Sequence, residues 1–106
     1  MTFCEKIREG KFVVTSEIGP PKGIDVKELL TDAELINGKV DAINVTDLQS
    51  SVLRLGSLVV CHLLKQRGIE PIFQLTCRDR NRLALQSDLM SAGVLGIENV
   101  LLLTGD

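Results

Sequence analysis

An α/β fold built on a parallel sheet is predicted for this chain by three observations. Four short apolar runs begin near Phe12, Asp41, Pro71 and Asn99, a repeat of about thirty residues. A stretch with helical spacing follows each of the first three runs, and Gly38, Gly68 and Gly96 close these stretches. Strands that alternate with helices imply parallel neighbours joined by right-handed crossovers.

The elements follow in order. A small helix comes first, with Thr2 as its cap, Glu5 at its third position and Gly10 beyond it. Phe12 to Ile18, rich in β-branched residues, reads as the first strand. Asp25, with Glu28 three residues on, predicts the start of a helix whose apolar stripe is Val26, Leu29, Leu30, Ala33 and Ile36. Asp41 to Thr46 is a second short strand. Ser50 or Ser51 is expected to cap a longer helix with Val52, Leu55, Val59 and Leu63 on one face. Pro71 opens a third strand that runs to Cys77, and a third long helix spans about Asn81 to Val94. Asn99 to Thr104 is almost entirely apolar, as expected of a strand buried on both faces.

The order β-α-β-α-β-α-β reaches Asp106 at the end of the fourth strand. A complete (β/α)8 barrel takes about 250 residues. The expected architecture is therefore the N-terminal half of a (β/α)8 TIM barrel, a partial domain over residues 1–106. A small doubly wound domain is the alternative.

Composition narrows the function. Of 106 residues, 44% are hydrophobic and 25% charged, which suits a packed core and excludes general disorder. Twelve basic and fourteen acidic residues, with no block of either sign, leave no nucleic-acid footprint. No apolar run approaches the roughly 20 residues of a membrane helix, and the first residues lack a signal-peptide core. Cytoplasm is the default expectation. Cys4, Cys61, Cys77 and His62 have no zinc-ligand spacing. Cys4 and Cys61 are expected as small buried residues on helices, Cys77 packed behind the third strand, and His62 on a helix surface or in helix packing. The common nucleotide loops, G-x-G-x-x-G and G-x-x-x-x-G-K-[ST], are absent.

Polar residues gather at the carboxyl ends of the predicted strands. Residues two apart share a face, which pairs Thr15 with Glu17, Asn44 with Thr46, Gln74 with Thr76 and Thr104 with Asp106. In a barrel these ends converge where the βα loops build the active site. Glu17 precedes the stiff turn Ile18-Gly19-Pro20-Pro21. Burial in such a mouth would favour its protonated form and suit it to general acid work; a cap or an ion pair with Lys22 is the alternative. Arg78 and Arg80 lie near enough to meet an anionic ligand, whereas Arg82 reads as solvated.

Four segments together resemble one known family. They are Thr15-Ser16-Glu17-Ile18-Gly19-Pro20-Pro21, Asn44-Val45-Thr46-Asp47, Gln74-Leu75-Thr76-Cys77-Arg78-Asp79-Arg80-Asn81 and Leu103-Thr104-Gly105-Asp106. In order and spacing they are similar to methylenetetrahydrofolate reductases. The resemblance implies a flavoprotein barrel that passes hydride from NAD(P)H to FAD and then to 5,10-methylenetetrahydrofolate. It implies that Glu17 is the catalytic acid and that Asp106, near flavin and folate, favours a cationic iminium electrostatically. It places Thr46 beside the reactive edge of the flavin, and Gln74, Thr104 and Gly105 at flavin-contacting positions, with Asp47 and Gln49 nearby. Many members carry E-F-F-P-P at Glu17 to Pro21, histidine at the place of Gln74 and arginine at that of Thr104. The form seen here is similar to that of anaerobic bacteria, in which an electron-donating partner subunit occurs; the complete protein is expected to be a homo-oligomer. The contacts to the adenine end of FAD, and much of the folate pocket, lie beyond the fourth strand in this family. The 106 residues alone are thus expected to be inactive. The other readings are a half barrel that self-associates without reductase activity and a different (β/α)8 enzyme of one-carbon metabolism.

Overall fold

The computed structural model describes residues 2–105. Helix α1 (Phe3–Arg8) is followed by β1 (Thr15–Ile18), α2 (Lys27–Ile36), β2 (Ala42–Val45), α3 (Ser57–Gln66), β3 (Pro71–Thr76), α4 (Arg82–Val94) and β4 (Val100–Leu103). The sheet order is β1-β2-β3-β4, every neighbouring pair parallel. A doubly wound sheet reverses its order at a switch point, and this one does not. Four parallel strands in sequential order, alternating with helices, are consistent with half of a (β/α)8 barrel.

Local chemistry accounts for the helix ends. Thr2 and Glu5 close a reciprocal capping box on α1, as expected. At the end of α3, the Ile69 amide donates to the Leu64 carbonyl and Gly68 to Lys65; at the end of α4, Ile97 donates to Ala92 and Gly96 to Gly93. This double bond pattern requires a left-handed residue just past the helix, which Gly68 (φ +75°) and Gly96 (φ +76°) supply. Ile69 and Ile97 then fold back into the core.

One face of the sheet carries the core. Ile43, Val45, Phe73 and Leu75 pack with Leu29, Leu30 and Ala33 of α2 and with Val60, Cys61 and Leu64 of α3. The expected stripe of α2 is therefore the buried one, with Val26 and Ile36 partly covered. On the opposite face the pairings set Glu17 beside Asn44 and Asn44 beside Ile72. α1 reaches the sheet from its amino-terminal end: Lys6 pairs with Asp41, whose other carboxylate oxygen accepts the Val14 amide at 2.8 Å. The Lys6 hydrogen bond, followed by that of Val14, holds the Asp41 carboxyl below its ordinary range.

Several expectations are corrected. The third helix begins at Ser57 with Gly56 as its cap; Ser50 and Ser51 lie in a 3₁₀ turn (Gln49–Ser51) before it. Its buried face is Ser57, Val60, Cys61 and Leu64, while Val52 and Val59 are exposed. β4 is exposed along Val100, Leu101 and Leu102, because it is an edge strand with no neighbour beyond it among the described residues. Asp25 accepts from the Lys27 amide, but the cap position belongs to Val26. Cys77 is exposed rather than packed, and Cys4 is half-buried.

Burial pushes the Cys61 thiol up to about 12 from an ordinary 9.0. The unfolded chain loses this proton first, so the contribution is complete below pH 9 and disappears as pH climbs from 9 towards 12. Unfolding free energies from urea titrations across that interval should fall, with a slope of at most about 1.4 kcal/mol per pH unit. At pH 8 a thiol reagent should label Cys77 at once and Cys61 only on unfolding; equal rates would contradict this packing.

Candidate functional site at the carboxyl ends of the strands

The loops after β2 and β3 are joined through one carboxylate. Asp47, two residues past β2, has no exposed side-chain surface. Its Oδ2 accepts from the Thr76 amide (2.9 Å), the Thr76 hydroxyl (3.2 Å) and Nη1 of Arg80; its Oδ1 accepts from Arg80 Nη2 at 2.8 Å. Arg80 also lies 3.2 Å from Asp88 through Nε. The hydrogen bonds that Arg80 donates to Asp47 raise its guanidinium above its ordinary value. A buried charge is tolerated only when paired and fully hydrogen-bonded, and Asp47 meets both conditions.

The same residue aims a second group. The Asp47 amide donates to Oε1 of Gln74 at 3.0 Å. Gln74 stands on the face of β3 opposite to Phe73 and Leu75, away from the helices. Next to it, Thr46 continues the ladder by donating its amide to the Ile18 carbonyl at 3.1 Å. The Thr46 hydroxyl is buried without a hydrogen-bond partner, as is Oδ1 of Asn44. A Cβ on Gly19 would come within 3.7 Å of that hydroxyl, so the turn after β1 lies directly against it.

That turn is held from outside. Arg54 Nη1 donates to the Pro20 carbonyl at 3.0 Å and the Leu55 amide to Pro21 at 2.8 Å. Glu17 borders a groove of about 530 Å³ whose walls include Pro20, Arg54 and, from α2, Leu29, Asp32 and Ile36, so that groove lies on the helix side of the sheet rather than on the face shared by Asn44 and Gln74. The carboxylate is exposed, so the expected burial is not provided within residues 2–105, and no ion pair joins it to Lys22 among them.

The four-pair pattern holds on three strands and fails on the fourth. β4 sets Leu101 beside Gln74 and Leu103 beside Thr76; Thr104 follows in an exposed bend, out of phase with them. Gly105 is half-buried, and Asp106 lies outside the described residues. Gln49 is exposed on the 3₁₀ turn. The arginines are not free for an anion: Arg80 serves Asp47 and Asp88, while Arg78 donates to the Leu48 carbonyl (2.6 Å) and to Asp79 (2.9 Å). That bond from Arg78, with a smaller one from Ser51, lowers the Asp79 carboxyl below its ordinary value. Leu48, Ser50, Ser51 and Asp79 all adopt positive φ, a cost of about 1–3 kcal/mol each for side-chain-bearing residues. Such strain clusters where loops are shaped for a ligand. Arg54 and the Asp47–Arg80 pair escape sequence reasoning because their partners lie more than thirty positions away.

Asp47→Ala would strand Arg80 and two donors of Thr76, and should cost about 3–5 kcal/mol in urea unfolding. Asp47→Asn keeps an acceptor and should cost less. A loss below 1 kcal/mol for the alanine variant would show that the pair does not hold the loops.

No group of three or more metal-ligating side chains occurs among the described residues, and no helix there is long and apolar enough to cross a membrane. No curated protein gives a significant match. A family model described as methylenetetrahydrofolate reductase matches residues 2–106. With a match over essentially its whole length, and with four parallel strands in the sequential order of half a (β/α)8 barrel, the chain belongs to the methylenetetrahydrofolate reductase family.

Proposed function

We propose that the protein reduces 5,10-methylenetetrahydrofolate to 5-methyltetrahydrofolate in the cytoplasm, with NAD(P)H as electron source and FAD as carrier. Residues 1–106 supply one side of the site, as part of a longer barrel domain. The observation that carries the reading is the buried, unpartnered Thr46 hydroxyl beside Gln74 at the strand ends. A flavin ring combines apolar faces with an edge of carbonyls and ring nitrogens, and it fits a surface that offers a few neutral polar groups. FAD supplies the two-electron step that takes a hydride from one substrate and gives it to the other.

The residues divide the remaining work. Thr46 and Gln74 bind and orient the ring edge, with Thr104, Gly105 and Gln49 contributing from the neighbouring loops. Asp47 is saturated by protein donors and acts by holding these loops in place. Glu17 delivers a proton to the folate nitrogen that leaves when the five-membered ring opens to the 5-iminium ion. Its carboxylate is exposed, which leaves room for a substrate to complete the burial it lacks. Asp106 favours that cation electrostatically.

FAD titration of the complete barrel tests the first half of this reading, and a complete protein that takes up no flavin refutes it. Glu17→Gln should lower folate reduction roughly 100-fold while flavin reduction by the nicotinamide stays within about twofold. Normal folate reduction in this variant would remove Glu17 as the acid. The bare face of β4 favours a second reading, a half barrel that covers Val100 and Leu102 by self-association. A sedimentation coefficient that stays at the monomer's value at every concentration would exclude it.

A further inference from the structure

Gln74 has a side-chain amide whose two ends differ in chemistry, and the fold determines which end is presented. An amide N–H can bond only to the oxygen end, so the donor from Asp47, 3.0 Å from Oε1, fixes the orientation. The Nε2 group is then directed away from Asp47, and it is neither buried nor hydrogen-bonded among the described residues. The Asp47 main chain cannot shift to release it. Its carboxylate is clamped by both nitrogens of the Arg80 fork and by the amide and hydroxyl of Thr76, the residue two positions on from Gln74 along β3.

We infer that Gln74 is a specificity-determining hydrogen-bond donor for the bound ring, locked in that sense by the Asp47 amide, with Arg80 as its positioning residue. This rests on the flavin reading above. A fixed neutral donor selects a ligand edge that only accepts, such as a carbonyl beside an unprotonated ring nitrogen. It also favours the reduced ring, on which that edge carries more negative charge. Arg80 contributes without contact to the ligand, through Asp47.

The test is an exchange of donor for acceptor that keeps the shape. In Gln74→Glu one carboxylate oxygen still accepts the Asp47 amide, while the other replaces Nε2 and repels the accepting edge. Fluorescence titration with FAD should show affinity lowered at least tenfold, the flavin midpoint potential should fall, and the urea midpoint should change little. Arg80→Lys should weaken FAD less, and the double variant should lose no more than Gln74→Glu alone, because both act on one donor. If Gln74→Glu binds FAD within twofold of the parent at an unchanged potential, the donor assignment is overturned. If the effects of Arg80→Lys and Gln74→Glu simply add, Arg80 is not its positioning residue. A parent protein that binds no FAD would overturn the flavin reading and this inference with it, a result distinct from the first two.

Discussion

A carboxylate shut away from water has to receive all its hydrogen bonds from the protein, and the residues that satisfy Asp47 are the ones that give this molecule its shape at the strand ends. Desolvating such a charge costs several kcal/mol even after relaxation. That cost is offset only if the guanidinium of Arg80 and both donors of Thr76 are in position together. The end of β3, the loop leading to α4 and the loop leaving β2 therefore cannot move independently. Gln74 inherits its orientation from this arrangement, and Thr46, adjacent to Asp47, inherits its place under the turn after β1.

The two faces of the sheet have separate tasks. Branched and aromatic side chains at Ile43, Val45, Phe73 and Leu75 meet α2 and α3, and burial there supplies the stability. Glu17, Asn44 and Gln74, on the opposite face, contribute little to that core. Polar substitution on this side is compatible with folding because the cost of each polar group is met locally. The left-handed residues Leu48, Ser50, Ser51 and Asp79 belong to the same economy: strain at the loops is carried by a sheet and helices that do not need them.

How much of this is legible in the sequence depends on range. The spacing of Leu29, Leu30 and Ala33 is a local signal and identifies the buried stripe of α2. Gly68 and Gly96 likewise announce helix ends because only the backbone conformation is at stake. The start of α3 is misread because Leu48, Ser50 and Ser51 adopt left-handed φ without glycine, and because Val52 and Leu55 imitate helical spacing in an extended segment. β4 looks doubly buried from its composition, but an edge strand takes its burial from what lies beside it, which four residues of sequence do not specify. At the site, the strand-end positions of Glu17, Thr46 and Gln74 follow from alternation. The bond of Arg80 to Asp47, thirty-three residues away, has no periodicity to betray it, and so Arg80 reads from sequence as a cation awaiting an anion.

The contrast between adjacent residues locates the unfinished chemistry. Asp47 has its carboxylate completely satisfied, while the hydroxyl of Thr46 beside it is buried with no partner. An unmet polar group of this kind costs about 1–3 kcal/mol, and it persists in a region otherwise dense with protein–protein hydrogen bonds. Had the loops been free to adjust, a rotation at Thr46 could have found an acceptor among the carbonyls of the turn. They are not free, because the neighbouring charge pair fixes the backbone on one side and Arg54 fixes the Gly19-Pro20 turn on the other. The hydroxyl is thus kept unsatisfied by rigid surroundings; covered by the turn after β1, it meets a ligand only where that turn yields, whereas the amide of Gln74 is already oriented. Much of what a binding site must otherwise spend on ordering its groups has already been met during folding, by Asp47 and Arg80.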